Sequence, residues 1–200
     1  ITCNGDGDGT ATVVNPVGGT LNGLSYSYSW DDPLSQTTQT VTGLSGGVYT
    51  CIISDDNGCS IPDFITIIDP AVITADTAHT DITCHGDNDG TALVLNPSGG
   101  TPWPGSSPYS YEWSDALSQT STIATGLSQG IYSCIITDQN GCSSTTFDVT
   151  VINPSLITAD PTIHTDITCS GVIDGTATVV NPSGGTPFTG GIYNYLWSDG

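Results

Sequence analysis

The strongest constraint on this chain is an internal repeat. Gly126-Leu127-Ser128-Gln129-Gly130-Ile131-Tyr132-Ser133-Cys134-Ile135-Ile136-Thr137-Asp138-Gln139-Asn140-Gly141-Cys142 restates Gly43-Leu44-Ser45-Gly46-Gly47-Val48-Tyr49-Thr50-Cys51-Ile52-Ile53-Ser54-Asp55-Asp56-Asn57-Gly58-Cys59 at an offset of 83 residues. Tyr132, Cys134 and Ile136 alternate with Ile131, Ser133 and Ile135, the period of two of a half-buried strand. Asn140-Gly141 then accepts positive φ and suits a tight hairpin turn. A chain with such a period is an array, and its fold must be argued for the repeated unit. Asp69-Pro70 and Asn153-Pro154 mark the joints, because proline ends a strand and stiffens the backbone beside it. The expected domains are therefore 1–69, 70–153 and 154–200. Each full unit is long enough for a modest core. Ile1 aligns with Ile82, so the first unit is expected to lack most of its first strand, and the third is expected to stop after its Trp197 strand.

The second unit carries the complete pattern. Val72-Ile73-Thr74 and Asp81-Ile82-Thr83-Cys84 predict a broken first strand, and residues 91–95 a second one, closed by Asn96-Pro97 and Gly99-Gly100. After a proline-bearing loop, Tyr109, Tyr111 and Trp113 fall on one strand face, as do Tyr26, Tyr28, Trp30 and Tyr193, Tyr195, Trp197. Residues 120–124 predict a polar strand, the opening motif another, and Phe147, Val149 and Val151 alternate in the last. Six or seven short strands with frequent turn signals and no helical period predict an all-β chain of tandem antiparallel β-sandwiches. The ring-bearing strand facing Leu-x-x-Gly-x-Tyr-x-Cys resembles an immunoglobulin-like core with a tyrosine corner. The strand at 91–95, where a partner cysteine would sit, has none.

Charge narrows the function. Lys plus Arg is zero against twenty Asp plus Glu, a formal charge of −20. With no cation to set against phosphate, ordinary nucleic-acid binding is excluded, and docking on anionic lipid is disfavoured. Few charges with abundant Ser, Thr, Gly and Asn would suit disorder, but the strand patterns argue against it. No apolar run approaches the roughly 18 residues of a membrane-spanning helix. Seven cysteines at repeat-fixed positions fit an oxidising, extracellular setting, and without CxxC pairs no structural zinc is expected. There is no Asn-x-Ser/Thr sequon, since Asn96 and Asn181 precede proline, which leaves O-glycans on Ser or Thr as the open route.

In order, each unit reads Cys-x-Gly-x-x-Asp-Gly-Thr-Ala, Gly-Gly-Thr, Tyr-x-Tyr-x-Trp-Ser, Gly-Leu-x-x-Gly-x-Tyr, Asp-x-Asn-Gly-Cys, a strand, and Asp/Asn-Pro. This string resembles the SprB-type repeat of Bacteroidota surface proteins, including the gliding-motility adhesins. The resemblance covers essentially the whole chain. It implies a giant cell-surface or secreted protein, exported in many members by the type IX system, that acts as a filament or adhesin. It also bears on the cysteines. Three per full unit permit one internal bridge in three ways, and sandwich topology would favour Cys84 with Cys134. The family motif keeps only the first cysteine and the Asn-Gly-Cys one, which implies Cys3–Cys59 and Cys84–Cys142, with Cys51 and Cys134 reduced and buried. Cys169 would then pair beyond Gly200.

Further candidates stand on residue type. Gly5-Asp6-Gly7-Asp8-Gly9 and Gly86-Asp87-Asn88-Asp89-Gly90 resemble the start of a calcium loop, so Asp6, Asp8, Asp87 and Asp89 are the candidate calcium ligands. The closing glutamate is missing and the third copy keeps only Asp174, so a turn-stabilising Asp explains the recurrence equally well. His79, His164 and the solitary His85 read as polar linker residues before they read as metal or pH groups. No Ser/His/Asp set has an anchor and the carboxylates sit in turns, so no enzyme is expected. Trp103 and Phe188, in the loop after Gly-Gly-Thr-Pro, are candidate ligand-binding aromatics, with a lid over one end of the sandwich as the favoured reading. The leading function is a structural and adhesive segment outside a bacterium, whose partners are neighbouring copies or domains and extracellular glycans or surfaces. The alternatives are a carbohydrate-binding module and the stalk of a secreted enzyme.

Overall fold

A computed structural model describes residues 1–23 and 25–198. Among these residues there are thirteen strands and no helix. The first repeat supplies β1 (Gly9–Thr12), β2 (Ser27–Trp30), β3 (Thr40–Leu44), β4 (Gly47–Ser54) and β5 (Ser60–Ile67). The second supplies β6 (Thr74–Thr80), β7 (Gly90–Ser98), β8 (Ser110–Trp113), β9 (Ile123–Leu127), β10 (Gly130–Thr137) and β11 (Phe147–Val151). The third supplies β12 (Thr158–Thr165) and β13 (Thr176–Ser183).

In the first repeat β1 and β3 pair antiparallel, with Ala11 opposite Val41. β4 is the centre of a second sheet between β2 and β5, with Trp30 opposite Cys51. The alternation of side chains turns one face of each sheet inward. Ala11, Val13, Val41 and Leu44 from the first sheet meet Trp30, Cys51 and Ile53 from the second, and the Trp30 indole donates to Thr38 O at 2.9 Å. The second repeat orders its strands β6-β7-β9 and β11-β10-β8. In immunoglobulin lettering these are sheets A-B-E and G-F-C, so the expected sandwich is the observed one. The same positions are buried there: Ala92, Val94, Ala124 and Leu127, and Trp113, Cys134 and Ile136. The tyrosine corner forms in both full repeats. Tyr49 Oη donates to Ser45 O and Tyr132 Oη to Ser128 O, each at 3.0 Å.

Three expected strands differ. The polar strand expected at 120–124 is β9, Ile123–Leu127. No strand forms at 193–197, where Tyr195 and Trp197 are 51% and 44% exposed. The first strand of the second repeat is the polar run Thr74–Thr80, and neither Val72-Ile73 nor Asp81–Cys84 belongs to it. It lies at a sheet edge beside β7, so backbone pairing holds it and no apolar alternation is needed. His79 and, in the third repeat, His164 therefore sit within strands. β12 and β13 pair antiparallel, and every residue of β12 is exposed.

Packing gathers the chain into two compact units. One comprises Ile1–Ala75, Asn96–Tyr111 and Ile135–Thr146, the other Asp76–Leu95, Glu112–Cys134 and Phe147–Gly200. Trp113 is 1% exposed and its indole N–H is satisfied by Ser121 O at 2.9 Å. Trp113→Ala should cost about 3–5 kcal/mol in chemical denaturation, as a large core truncation. A loss under about 1 kcal/mol would be a surface effect and would contradict this packing.

Candidate functional site

Residues 68–73 connect β5 to β6, and the backbone of Ala71 and Val72 lies against the Gly99–Gly100 turn just past β7. Gly100 N donates to Ala71 O at 2.7 Å. A β-carbon on Gly99 would come within 2.0 Å of Val72 O, and Gly99 has φ +92°. Glycine is thus required there twice, by conformation and by space. Tyr109 Oη donates to Gly99 O at 2.8 Å and holds the turn from its other side.

Two further pieces converge on this connection. The turn before β1 reaches it through Asn4 Nδ2, which donates to Pro70 O at 2.7 Å, and Gly5 N, which donates to Asp69 Oδ1 at 3.0 Å. The hairpin after β10 is built around Asp138, 1% exposed, whose carboxylate accepts N–H bonds from Thr101 at 2.6 Å, Asn140 at 2.9 Å and Cys142 at 2.9 Å. Asn140 Nδ2 donates to Thr2 O at 3.3 Å, and Cys142 is disulfide-bonded to Cys3 with Cα atoms 5.4 Å apart. A cleft edged by Asn4, Val72, Ile73 and Ser144 runs beside the bond. The site is a joint: the first turn of one repeat, the linker, and the loop and hairpin of the next.

This bond replaces both expected ones. Cys142 takes Cys3, and Cys59 and Cys84 are exposed thiols, so neither Cys3–Cys59 nor Cys84–Cys142 forms. The reason is strand length. In the first repeat the turn that carries Cys3 lies at the Gly47 end of β4: Gly5 binds Asp69, just past β5, and a β-carbon on Gly7 would lie 3.6 Å from Ser45 Oγ. Cys59 lies past the other end of β4, eight residues along the strand, a span of about 23 Å. A disulfide bridges Cα atoms about 4.4–6.8 Å apart, so the two ends of one sandwich cannot share it. The topological alternative, Cys84–Cys134, does not form either. Cys51 and Cys134 are fully buried thiols; burial raises the pKa of both and pushes Cys134 up to about 11.

The recurrent turn carboxylates act inward. Asp8 accepts from Thr2 N at 3.0 Å and from the Thr2 hydroxyl, Asp89 from Thr83 N at 2.9 Å, and Asp174 from Thr168 N at 3.0 Å. Hydrogen bonds from these threonines, side chain first and backbone second, hold all three carboxyls below the usual range. Asp6 and Asp87 use their backbone N–H groups, bonded to Cys3 O and Cys84 O at 3.0 Å. Among the described residues no three His, Cys, Asp or Glu side chains are gathered as a metal group. His79 pairs with Asp81 and His164 with Asp166, each at 3.6 Å on the surface. His85 Nδ1 donates to Pro154 O at 2.8 Å. Trp103 is 36% exposed and its backbone N–H donates to Pro108 O at 2.8 Å; Phe188 is 62% exposed and its backbone N–H donates to Ile192 O at 2.9 Å. These backbone bonds close the two loops.

Sequence reasoning misses a second set of aspartates. Asp32 accepts from Leu34 N, Gln36 N and Gln36 Nε2, and Asp115 from Leu117 N, Gln119 N and Gln119 Nε2. Burial acts to raise their pKa values, but these hydrogen bonds outweigh it and both end below the usual value. Asp55 is lowered by backbone N–H bonds, first from Thr20 and then from Cys59. A signal for them exists: Asp-x-Leu-Ser-Gln recurs at 32–36 and 115–119.

These contacts yield two predictions. Gly18 matches Gly99 in the first repeat and has φ +93°, with nothing near its would-be β-carbon. Alanine strains the backbone equally at both, so the excess loss in Gly99→Ala over Gly18→Ala isolates the joint contact. It should be about 1–3 kcal/mol in matched melts, the scale of an overpacked contact; equal losses would mean that the linker does not dock. Separately, the lowered aspartates contribute stability that is complete above their unfolded pKa of about 4 and is lost as pH falls through their lower folded values. Asp115→Asn should therefore show a smaller fall in melting temperature between pH 5 and pH 2.5 than the parent chain, and an identical fall would contradict this role.

The SprB repeat family matches the chain three times, over residues 1–35, 77–118 and 162–200. No match was found among curated proteins. Among solved structures, the amphioxus IgVJ-C2 molecule is 13% identical, with 73% of this chain and 98% of that chain covered at a TM-score of 0.29.

Proposed function

Since the chain belongs to the SprB repeat family, we propose that it is a non-catalytic, structural and adhesive stretch of a protein exposed on a bacterial surface. SprB repeats mark a repeat segment of a cell-surface protein; the adhesive and filament-forming roles are the finer part of this reading. The observation that supports it best is the joint. Elements that recur at repeat positions meet there: the Gly-Gly turn seats the Asp/Asn-Pro linker, and the hairpin, shaped by its aspartate, carries the cysteine bonded to the preceding repeat. Chemistry in a tandem array would need its groups gathered in a pocket, whereas here the buried carboxylates are spent on backbone N–H groups. The absence of Lys and Arg adds like-charge repulsion, which keeps such a surface from self-associating.

The rival reading, carbohydrate recognition, draws on the exposed rings of Trp103 and Phe188. A glycan array probed with the parent chain and with Trp103→Ala and Phe188→Ala separates the two. The structural reading expects no saturable signal that depends on either ring. A signal abolished by one of these substitutions would favour the binding module. Antibodies against the segment should label intact cells of a producing bacterium, and labelling only after lysis would defeat the surface assignment.

A further inference from the structure

The joint at Gly99–Gly100 has a second copy in the chain. Gly185 N donates to Ser155 O at 2.7 Å, as Gly100 N does to Ala71 O. A β-carbon on Gly184 would come within 2.0 Å of Leu156 O, as one on Gly99 would of Val72 O. Tyr193 Oη donates to Gly184 O at 2.7 Å, in the manner of Tyr109. His85 bonds Pro154 O where Asn4 bonds Pro70 O, and Gly86 N bonds Asn153 Oδ1 at 3.2 Å where Gly5 N bonds Asp69. The match extends to the cleft. In the first joint it is bordered by Cys3, Asn4, Val72, Ile73 and Gly100, and then by the hairpin residues from Gly141 onward. In the second it is bordered by Cys84, His85, Leu156, Ile157 and Gly185, with no hairpin among its lining residues. Cys84 is an exposed thiol there.

From this equivalence we propose that Cys84 is one half of a second covalent staple, and that its cleft receives the Asp-x-Asn-Gly-Cys hairpin of the third repeat. The rule is directional: the first cysteine of each repeat bonds the hairpin cysteine of the next repeat along the chain. By the same rule Cys59 has the position of a receiving half. Its cleft is lined by Val17, Gly18, Gly19, Tyr26 and Ile61, and the space over Gly18, which Val72 O fills at Gly99, is open. Forming each staple joins two thiol sulfurs and releases two protons and two electrons. A small-molecule disulfide accepts them and is reduced to two thiols. The proposal concerns covalent connection alone and stands whether or not the segment adheres to anything.

The test supplies the hairpin. Ser198-Asp199-Gly200 aligns with Ser114-Asp115-Ala116, so residues 117–153 are appended after Gly200 to complete the third repeat. The extended chain is refolded with oxidised glutathione and mapped by non-reducing peptide analysis. The expected product contains Cys3–Cys142 and a new bond from Cys84 to the appended copy of Cys142, with Cys84 lost from alkylation. In the Cys84→Ser version the appended copy of Cys142 should be alkylated, while the appended copy of Cys134 stays a buried thiol in either chain. A bond from Cys169 to the appended copy of Cys142 would overturn the proposal, since that bond lies within one repeat. So would an appended copy of Cys142 left as a thiol in the parent extension. The 200-residue chain provides an independent reading that needs no extension: Cys59 and Cys84 should alkylate while Cys3 and Cys142 do not. A Cys84–Cys142 or Cys3–Cys59 peptide there would refute the rule outright.

Discussion

The approach of a linker backbone to a Gly-Gly turn is the contact on which the rest of this structure depends. It is made by Ala71 and Val72 on Gly99 and Gly100, and again by Ser155 and Leu156 on Gly184 and Gly185. A side chain at either first glycine would push the linker carbonyl away. The carbonyl would lose its seat, and the turn and hairpin cysteines would lose the register that lets Cys3 reach Cys142. Sandwich and joint are thus specified by different residues: the alternating apolar positions of β1 to β4 build the one, and small or polar residues in the loops build the other.

A chain without Lys or Arg has to satisfy its carboxylates in another way. The structure does so with backbone N–H groups and hydroxyls. Asp32, Asp115 and Asp138 are nearly inaccessible to solvent and each accepts three hydrogen bonds. A carboxylate in such a cradle needs no counter-ion, because the donors are oriented before it arrives. Among the described residues no buried side-chain nitrogen or oxygen is left without a partner. Acidity here is a structural material as well as a surface property.

Much of the fold can be read from the sequence, because its signals are local. Period-two alternation locates β4, β10 and β11, and the Tyr-x-Cys motif announces the tyrosine corner. In the first two repeats the shared face of the three rings marks an inward-facing strand, with Trp30 and Trp113 5% and 1% exposed, whereas Tyr193, Tyr195 and Trp197 form no strand. The polar strand Thr74–Thr80 escapes because an edge strand is held by backbone pairing, which leaves no mark on side-chain pattern. The candidate site is less legible. Every cysteine is visible, but pairing depends on which end of a sandwich each one occupies, and that is a property of topology. Reasoning within one repeat cannot find a bond made across a joint. The Gly-Gly pair reads in the sequence as a strand terminator; its role as a seat appears only when the neighbouring chain lies on it.

The buried thiols carry a consequence for which cysteines of the folded chain can exchange. Cysteine exchanges disulfides as the thiolate, and a pKa near 11 leaves Cys134 about a hundredfold less thiolate at neutral pH than an ordinary cysteine would have. Once a sandwich has closed, its central cysteine drops out of the exchange chemistry. Only the exposed loop thiols, Cys59, Cys84 and Cys169, remain able to trade partners. In the folded chain, packing therefore edits the list of bonds that can be exchanged. In an array of similar units, where each motif has false partners of the same sequence, that leaves the loop cysteines alone to be sorted.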